Sequence, residues 1–214
     1  MESHSQDILK LLSSSFLFRG LESLQLQELA QKARIHTDKP GTILIEEDVI
    51  NDKVFIIIEG LVKIYKLTPD GKEIFLAIER TNDYLGVMDL NDSPASATIE
   101  TLVPTTTLIF YKKDILLLLQ KNPLLWKNMY HILAVKLKEY TSLLSITQGN
   151  ALHEKTYLVL DFISRLSNNN VLTISHETLA HIVGATRPRV TEALHALREA
   201  KKISISSKKI TVLP

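Results

Sequence analysis

Two arginines flank a proline just ahead of an apolar stripe in the C-terminal third of the chain. Arg187 and Arg189 carry guanidinium groups, which can donate paired hydrogen bonds to a phosphate or to the edge of a base. Pro188 lies between them, and a helix tolerates proline only in its first turn, where the N–H groups have no intrahelical acceptor. The stripe that follows has the spacing of one helix face: Val190, Ala193, Leu194 and Leu197. The pattern predicts a helix with Thr186 as N-cap and both arginines in the first turn.

Another helix is predicted immediately before this one. Ser175 is a suitable N-cap, and apolar residues at helical spacing follow it. Gly184 stands where the helix would end in a left-handed conformation. Only Ala185 separates Gly184 from Thr186, so a tight turn joins the two helices. This arrangement is typical of a helix-turn-helix, in which the start of the second helix faces the bases of the DNA major groove.

The side chains around this turn predict a DNA-contact surface. Arg187 and Arg189 can each donate two hydrogen bonds to guanine O6 and N7. Glu192 can accept from a cytosine amine, and Thr191 can contact a thymine methyl group or a phosphate. Hydroxyl groups at helix N-termini lie where phosphates bind well. The candidate DNA-contact residues are Arg187, Arg189, Thr191, Glu192, Thr186, Ser175, His176 and Lys208.

A basic hairpin is predicted after the second helix, from residues 203–206 and 208–213. Its tip carries Lys208 and Lys209, either of which can contact the DNA backbone as part of a wing. From residue 151 onward the chain has nine lysines and arginines against five acidic residues, a net charge of +4, and the remainder carries −3. A basic C-terminal third indicates an anionic partner. A sensor that binds a protein through this region is an alternative, which a steep salt dependence of binding would exclude.

The composition excludes several classes of protein. With 214 residues and 45% apolar residues, the chain is long enough for one large domain or two small ones. It has no cysteine, so disulfides, thiolate zinc sites and cysteine-held iron–sulfur clusters are excluded. The N-terminus has no signal-peptide pattern, and the longest apolar runs are five residues. We therefore expect a cytoplasmic protein with no membrane partner.

Short β-rich runs separated by turns follow Pro40-Gly41 and predict a sandwich or barrel. The predicted strands are residues 42–45, 54–58, 61–67, 74–78 and 105–111. The segment Thr68-Pro69-Asp70-Gly71 has the residue order of a β-turn. A cupin-like enzyme is an alternative for such a barrel, but it needs a metal held by histidines, and residues 41–111 contain none. No metal and no cofactor are expected.

A long helix is predicted from Asn122-Pro123 to Gly149, with two apolar stripes. One includes Leu125, Met129 and Ile132, and we expect it to pack on the β-domain. The other has heptad spacing and is predicted to pack on a second copy of the chain. Its residues, the seam, are Trp126, Tyr130, Leu133, Leu137, Tyr140 and Leu144. Burial of both stripes within a single chain is the alternative.

Together these features resemble the cyclic-AMP receptor protein/FNR (Crp/Fnr) family of bacterial transcription regulators. The resemblance rests on Pro40-Gly41, on the run 55–64 (FIIIEGLVKI), on Gly86, on the long helix, and on residues 173–190. It implies an α+β fold: an N-terminal cyclic-nucleotide-binding-like β-roll (jelly roll) over residues 1–120, a dimerisation helix over 121–149, and a winged helix-turn-helix over 150–214. It also implies a homodimer on an inverted repeat in double-stranded DNA, with RNA polymerase as a further partner if the protein is an activator.

The chain departs from the cyclic-AMP responders of that family at the effector pocket. Val87 follows the pocket glycine Gly86 where those proteins have a glutamate, and Ala95 stands in the place of their phosphate-binding arginine. The implied pocket residues are Gly86, Val87, Ser96, Ala97, Tyr140 and Thr141. Without both charged groups we expect no dependence on cyclic AMP. Activity without an effector is favoured, and gating by another small molecule is the alternative.

The recognition helix also departs from the family's best-known pattern. Pro188 stands where a glutamate usually reads a base, and Glu192 where an arginine often does. We therefore expect a different half-site sequence.

Overall fold

The β-rich middle of the chain folds as two four-stranded sheets, as its short apolar runs and turns predict. The computed structural model describes residues 2–149, 151–167, 169–206 and 209–213. By its contacts the chain divides into two units, residues 1–63 with 79–137 and residues 64–78 with 138–214. No helix in these described ranges combines the length and apolar character needed to cross a membrane.

Three helices and eight strands precede the long helix. The helices are α1 (Glu2–Ser14), α2 (Ser23–Lys32) and α3 (Lys112–Lys121). The strands are β1 (Arg34–Asp38), β2 (Ile43–Ile45), β3 (Lys53–Glu59), β4 (Leu61–Leu67), β5 (Glu73–Arg80), β6 (Tyr84–Leu85), β7 (Thr98–Thr101) and β8 (Thr105–Tyr111). Short 3-10 helices lie at Phe16–Phe18 and Val87–Asn91. Two predicted strands have the bounds expected, three differ by one or two residues at one or both ends, and β1, β6 and β7 were not predicted.

The strand order is β1-β8-β3-β6 in one sheet and β2-β7-β4-β5 in the other. Strand β8 pairs antiparallel with β1 and with β3, so that Ile109 lies opposite Arg34 on one side and Phe55 on the other. The predicted turn between β4 and β5 is confirmed, because the N–H of Gly71 donates to the carbonyl of Thr68 at 2.8 Å.

The core of the first unit lies between β3, β8 and the helices that flank them. Leu12 of α1, Leu29 of α2, Ile115 of α3 and Phe110 of β8 are buried in one apolar cluster. Phe18 meets Phe110 edge to face, with ring centroids 5.9 Å apart. Burial of these side chains removes apolar surface from water, and this is the main favourable contribution to the stability of the unit.

The long helix, α4 (Pro123–Gly149), has the predicted bounds and is about 40 Å long. Its first predicted stripe is buried: Leu125, Met129 and Ile132 belong to the core described above, and Leu143 is also buried. The seam is on another side of the helix and is largely exposed, with Tyr130 74% and Leu137 65% accessible. One helix therefore has two apolar faces, of which the described part of this chain covers one.

The C-terminal part contains α5 (Leu152–Ser167), α6 (His176–Val183) and α7 (Arg187–Glu199). Strands β9 (Val171–Leu172), β10 (Ile203–Ser206) and β11 (Lys209–Val212) form a sheet in the order β10-β11-β9. The β10–β11 hairpin is antiparallel, with Ser206 opposite Lys209, which confirms the predicted hairpin. Ile203 and Val212 are also opposite each other and buried.

Candidate functional site

The two short helices near the C-terminus meet through the tight turn that the sequence predicts. The Ser175 hydroxyl accepts from the N–H of Thr178 at 2.9 Å and caps α6. Gly184 ends that helix in the left-handed conformation, with φ of 65°. Thr186 is the N-cap of α7 by position, although its side chain makes no capping hydrogen bond. Pro188 lies in the first turn of α7, as predicted.

The apolar stripe of α7 fixes which side chains face outward. Val190 and Leu194 are completely buried, and Leu179 of α6 is also completely buried. Arg187, Arg189 and Glu192 are exposed as a consequence. Among the described residues, neither guanidinium group has a hydrogen-bond or ion-pair partner in the chain. Two unpaired cations at a helix N-terminus, where backbone N–H groups also point outward, form a surface suited to an anion.

A hydrogen-bond network joins the two helices at this surface. The Thr191 hydroxyl donates to the carbonyl of Arg187 at 3.0 Å, one turn earlier in α7. Nδ1 of His176, the first residue of α6, lies 2.9 Å from the same hydroxyl. The candidates His176, Arg187 and Thr191 thus lie together. The Ser175 oxygen is close by in the chain, but its cap bond already engages it.

The turn after α7 and the hairpin that follows it add positive charge to this part of the molecule. Lys201, Lys202 and Lys209 are exposed, and the ammonium group of Lys202 lies 4.8 Å from the ring centroid of Tyr157. Lys208, which the sequence assigns to the backbone contact, lies outside the described residues.

The pocket residues implied by the family resemblance fall in both contact units. Gly86 has φ of 75°, and a Cβ atom there would lie 2.4 Å from the Lys53 carbonyl oxygen, so only glycine fits. Val87 and Ala97 are buried, and Ser96 is exposed. Tyr140 and Thr141 belong to the part of α4 that groups with the second unit. The Thr141 hydroxyl donates to the carbonyl of Lys138 at 2.9 Å.

A charge cluster that the sequence analysis did not predict lies in the first unit, with Glu79 buried and its two partners partly buried. It consists of Glu79 at the end of β5, Asp83 just before β6, and Lys136 of α4. The Lys136 ammonium group is 2.8 Å from Asp83 Oδ1 and also pairs with Glu79 Oε2. The other oxygen of Asp83 accepts from the N–H of Arg80 at 2.9 Å. Lys136 therefore binds α4 to the β-sheet structure of this unit through two carboxyl groups.

Burial and the neighbouring carboxylate control the protonation of this cluster. Loss of hydration, followed by the hydrogen bond and charge of Asp83, raises the pKa of Glu79 from 4.5 to about 8, against the opposing effect of Lys136. At neutral pH the two carboxyl groups therefore retain one proton between them, in the hydrogen bond that joins Glu79 and Asp83. Burial lowers the pKa of Lys136, but the two carboxyl groups more than offset this and leave that pKa raised. The cluster then holds one cation, one anion and one neutral acid.

The sequence contained one sign of this cluster. Lys136 falls on the buried stripe of α4, between Ile132 and Leu143. A lysine on an apolar face needs a carboxylate partner, since an unpaired buried charge is very costly. The partner itself was not identifiable, because Glu79 is 57 residues away in the chain.

The comparisons with known proteins cover both parts of the chain. Residues 37–122 match the cyclic nucleotide-binding domain, and residues 156–213 match the Crp-like helix-turn-helix domain. The chain is 25% identical over 191 residues to the cyclic AMP receptor protein of Thermus thermophilus, which covers 88% of each chain. It is 28% identical over 171 residues to the global nitrogen regulator of a Nostoc species, covering 75% of this chain and 77% of that protein. These relatives are transcription regulators, not enzymes.

Solved structures have the same fold. FixK2 from Bradyrhizobium japonicum superposes with a TM-score of 0.76 at 16% identity, over 85% of this chain and 93% of that one. A regulator of the crp/fnr family from Eubacterium rectale gives a TM-score of 0.75 at 20% identity, over 92% and 93%. The architecture predicted from the sequence, a β-rich N-terminal domain, a long helix and a C-terminal helix-turn-helix, is confirmed.

Proposed function

Because the chain belongs to the Crp/Fnr family of transcription regulators, we propose that it is a homodimer that recognises a specific inverted repeat in double-stranded DNA. The observation that carries this proposal is the pair of exposed, unpaired arginines, Arg187 and Arg189, in the first turn of α7. Their neighbours Thr186, Thr191 and Glu192 complete the surface that would face the bases. The protein would act in the cytoplasm, where the DNA that it recognises is located.

The exposed seam of α4 supports the homodimer. A heptad stripe of this kind packs against a second helix by inserting each apolar side chain between four residues of the partner. Two copies joined along α4 would present two α7 helices to successive major grooves, about one DNA turn apart. We assign residues 1–120 to the β-roll domain, 121–149 to dimerisation and 150–214 to DNA binding. RNA polymerase is a further partner if the regulator is an activator.

Regulation without a bound effector is the form of this function that we favour. The pocket lacks both charged groups that hold cyclic AMP in the responders, since Val87 and Ala95 replace them. In addition, Lys136 binds α4 directly to Glu79 and Asp83. These three side chains therefore make a contact between the β-roll and α4 that a bound ligand could otherwise make. Gating by another small molecule, through Gly86, Ser96 and Tyr140 among others, is the alternative.

Selection of DNA from a random pool by the purified protein, with no ligand added and at a stated salt concentration, tests the proposal. An enriched inverted repeat would support sequence-specific, effector-independent binding. Enrichment only after a small molecule is supplied would favour the gated alternative. If binding never depends on sequence, and affinity does not fall as salt rises, the protein-binding alternative would replace the DNA proposal.

A further inference from the structure

The network of His176, Thr191 and Arg187 determines what Thr191 can offer to DNA. A hydroxyl group has one proton to donate and two lone pairs to accept with. A backbone carbonyl can only accept, so the bond from Thr191 to the Arg187 carbonyl uses that proton. The hydroxyl oxygen also lies 2.9 Å from His176 Nδ1. Since the hydroxyl proton is already used, the proton of this second hydrogen bond must come from the imidazole. His176 is thereby held with Nδ1 protonated.

This assignment restricts the contacts of Thr191. With its proton engaged, the hydroxyl cannot donate to a phosphate, to guanine O6 or N7, or to thymine O4. The side chain is partly exposed and can still offer a base one lone pair of the hydroxyl and the γ-methyl. Thymine presents an acceptor and a methyl group in the major groove, so towards thymine the γ-methyl is the complementary group. An apolar contact between a threonine methyl and the C5-methyl of thymine is one of the ways in which the major groove is read.

We propose that Thr191 reads a thymine through its methyl group, and that His176 is the positioning residue that holds Thr191 in this orientation. The inference rests on the proposed function, because it requires α7 to lie in the major groove. It decides between the methyl and the phosphate contact that the sequence left open for Thr191. It also assigns His176 to a contact within the protein that fixes specificity.

The test compares binding to the selected repeat with binding to copies in which a single thymine is replaced by deoxyuridine. This replacement removes only the C5-methyl group. For the wild-type protein, replacement at one position of each half-site should weaken binding by roughly threefold to tenfold, the effect of a lost methyl contact. Thr191→Val has methyl groups at both γ positions, so one of them occupies the position of the threonine methyl without any hydrogen bond to hold it there, and this variant should keep the discrimination. Thr191→Ser keeps the hydroxyl and lacks the methyl, so thymine and deoxyuridine should bind it alike. Thr173→Ser, at an exposed site in the same unit, is the control for loss of a threonine methyl.

The role of His176 is tested by the ratio of the affinities for thymine DNA and deoxyuridine DNA. A variant that is only less stable would bind both DNAs less tightly, and this ratio would not change. His176→Ala removes the donor to Thr191 and should reduce the discrimination between thymine and deoxyuridine. His176→Asn supplies an amide N–H and should restore part of it. Thermal melting of each variant in the absence of DNA shows whether it is folded.

The outcomes separate this inference from the proposal on which it rests. A wild-type protein that binds its repeat but ignores every deoxyuridine replacement would overturn the inference and leave the DNA proposal standing. The same holds if Thr191→Ser discriminates as well as the wild type does. If no specific repeat is bound at all, the proposed function fails and the inference fails with it.

Discussion

The two sides of the recognition helix α7 have different roles: its apolar stripe is buried, and the two arginines of its first turn are exposed. Val190 and Leu194 hold the helix against its own unit, and Arg187 and Arg189 extend from its first turn. Because neither arginine has a partner among the described residues, binding to DNA would break no ion pair of theirs. Their desolvation is the cost that contacts to guanine or phosphate must offset.

We expect Arg187→Ala and Arg189→Ala each to weaken specific binding by about 1–3 kcal/mol while leaving the melting temperature unchanged. The measurement is a titration of the selected repeat at fixed salt. Arg165→Ala is the matched control, because Arg165 is also an exposed arginine of this unit but pairs with Asp161. It removes the same charge and should change affinity little. Unchanged affinity in both α7 variants would contradict the recognition-helix assignment.

Gly86 and Gly71 form a second matched pair at the scale of single residues. Both have positive φ, 75° and 79°, so alanine would be strained at either. At Gly71 a Cβ atom would meet nothing within 4 Å, whereas at Gly86 it would lie 2.4 Å from a backbone oxygen. Gly71→Ala should cost about 1–2 kcal/mol of unfolding free energy. Gly86→Ala should cost more. Equal losses of unfolding free energy for the two variants in denaturant titrations would show that the backbone around Gly86 moves and relieves the close contact.

At the scale of elements, the long helix and the two helices of the C-terminal turn were easier to predict than strand pairing, whereas α1 and α3 were not predicted. The bounds of α4 follow from the local residues Asn122, Pro123 and Gly149, and the turn between α6 and α7 follows from Gly184 and Thr186. These signals need no knowledge of distant parts of the chain. They predicted the candidate DNA surface and both faces of α4.

The strands that were missed depend on long-range contacts. Strand β6 has only two residues, and β1 has the mostly polar sequence RIHTD, which reads as a loop. Pairing with β8, more than sixty residues further on, makes β1 a strand. The cluster of Glu79, Asp83 and Lys136 was missed for the same reason, since the β-sheets bring its members together.

The seam of α4 gives the prediction that belongs to this scale. Leu137→Asp would place a charge in the middle of the predicted helix–helix contact, and its desolvation there should dissociate the dimer. Light scattering measures the mass of the assembly in solution. Leu117→Asp is the control, because Leu117 lies on α3 and is 51% exposed, so an aspartate there stays in water. A dimer that survives Leu137→Asp would place the interface on another surface.

At the scale of the whole molecule, the two parts of the chain carry opposite charge. The region from residue 151 onward is net positive and the rest is net negative. Such a division directs the anionic backbone of DNA to one part of the protein. The cluster of Glu79, Asp83 and Lys136 lies in the net-negative part of the chain, where Lys136 connects α4 to the β-sheets.

This cluster makes the stability of the protein depend on pH in a defined direction. Glu79 has a folded-state pKa of about 8 and an ordinary value of 4.5, so between these pH values the folded chain retains a proton that the unfolded chain has released. Stability from this group is therefore greatest below about pH 4.5, falls as pH rises towards 8, and is constant above that, with a slope of at most ~1.4 kcal/mol per pH unit. Glu79→Gln has no proton to lose and keeps the hydrogen-bonding shape of the neutral acid. We expect the difference in unfolding free energy, wild type minus Glu79→Gln, to decline across this window in denaturant titrations and then level off. A difference that does not vary with pH would show that Glu79 titrates as an ordinary glutamate, and Lys136 would then be held by two carboxylates.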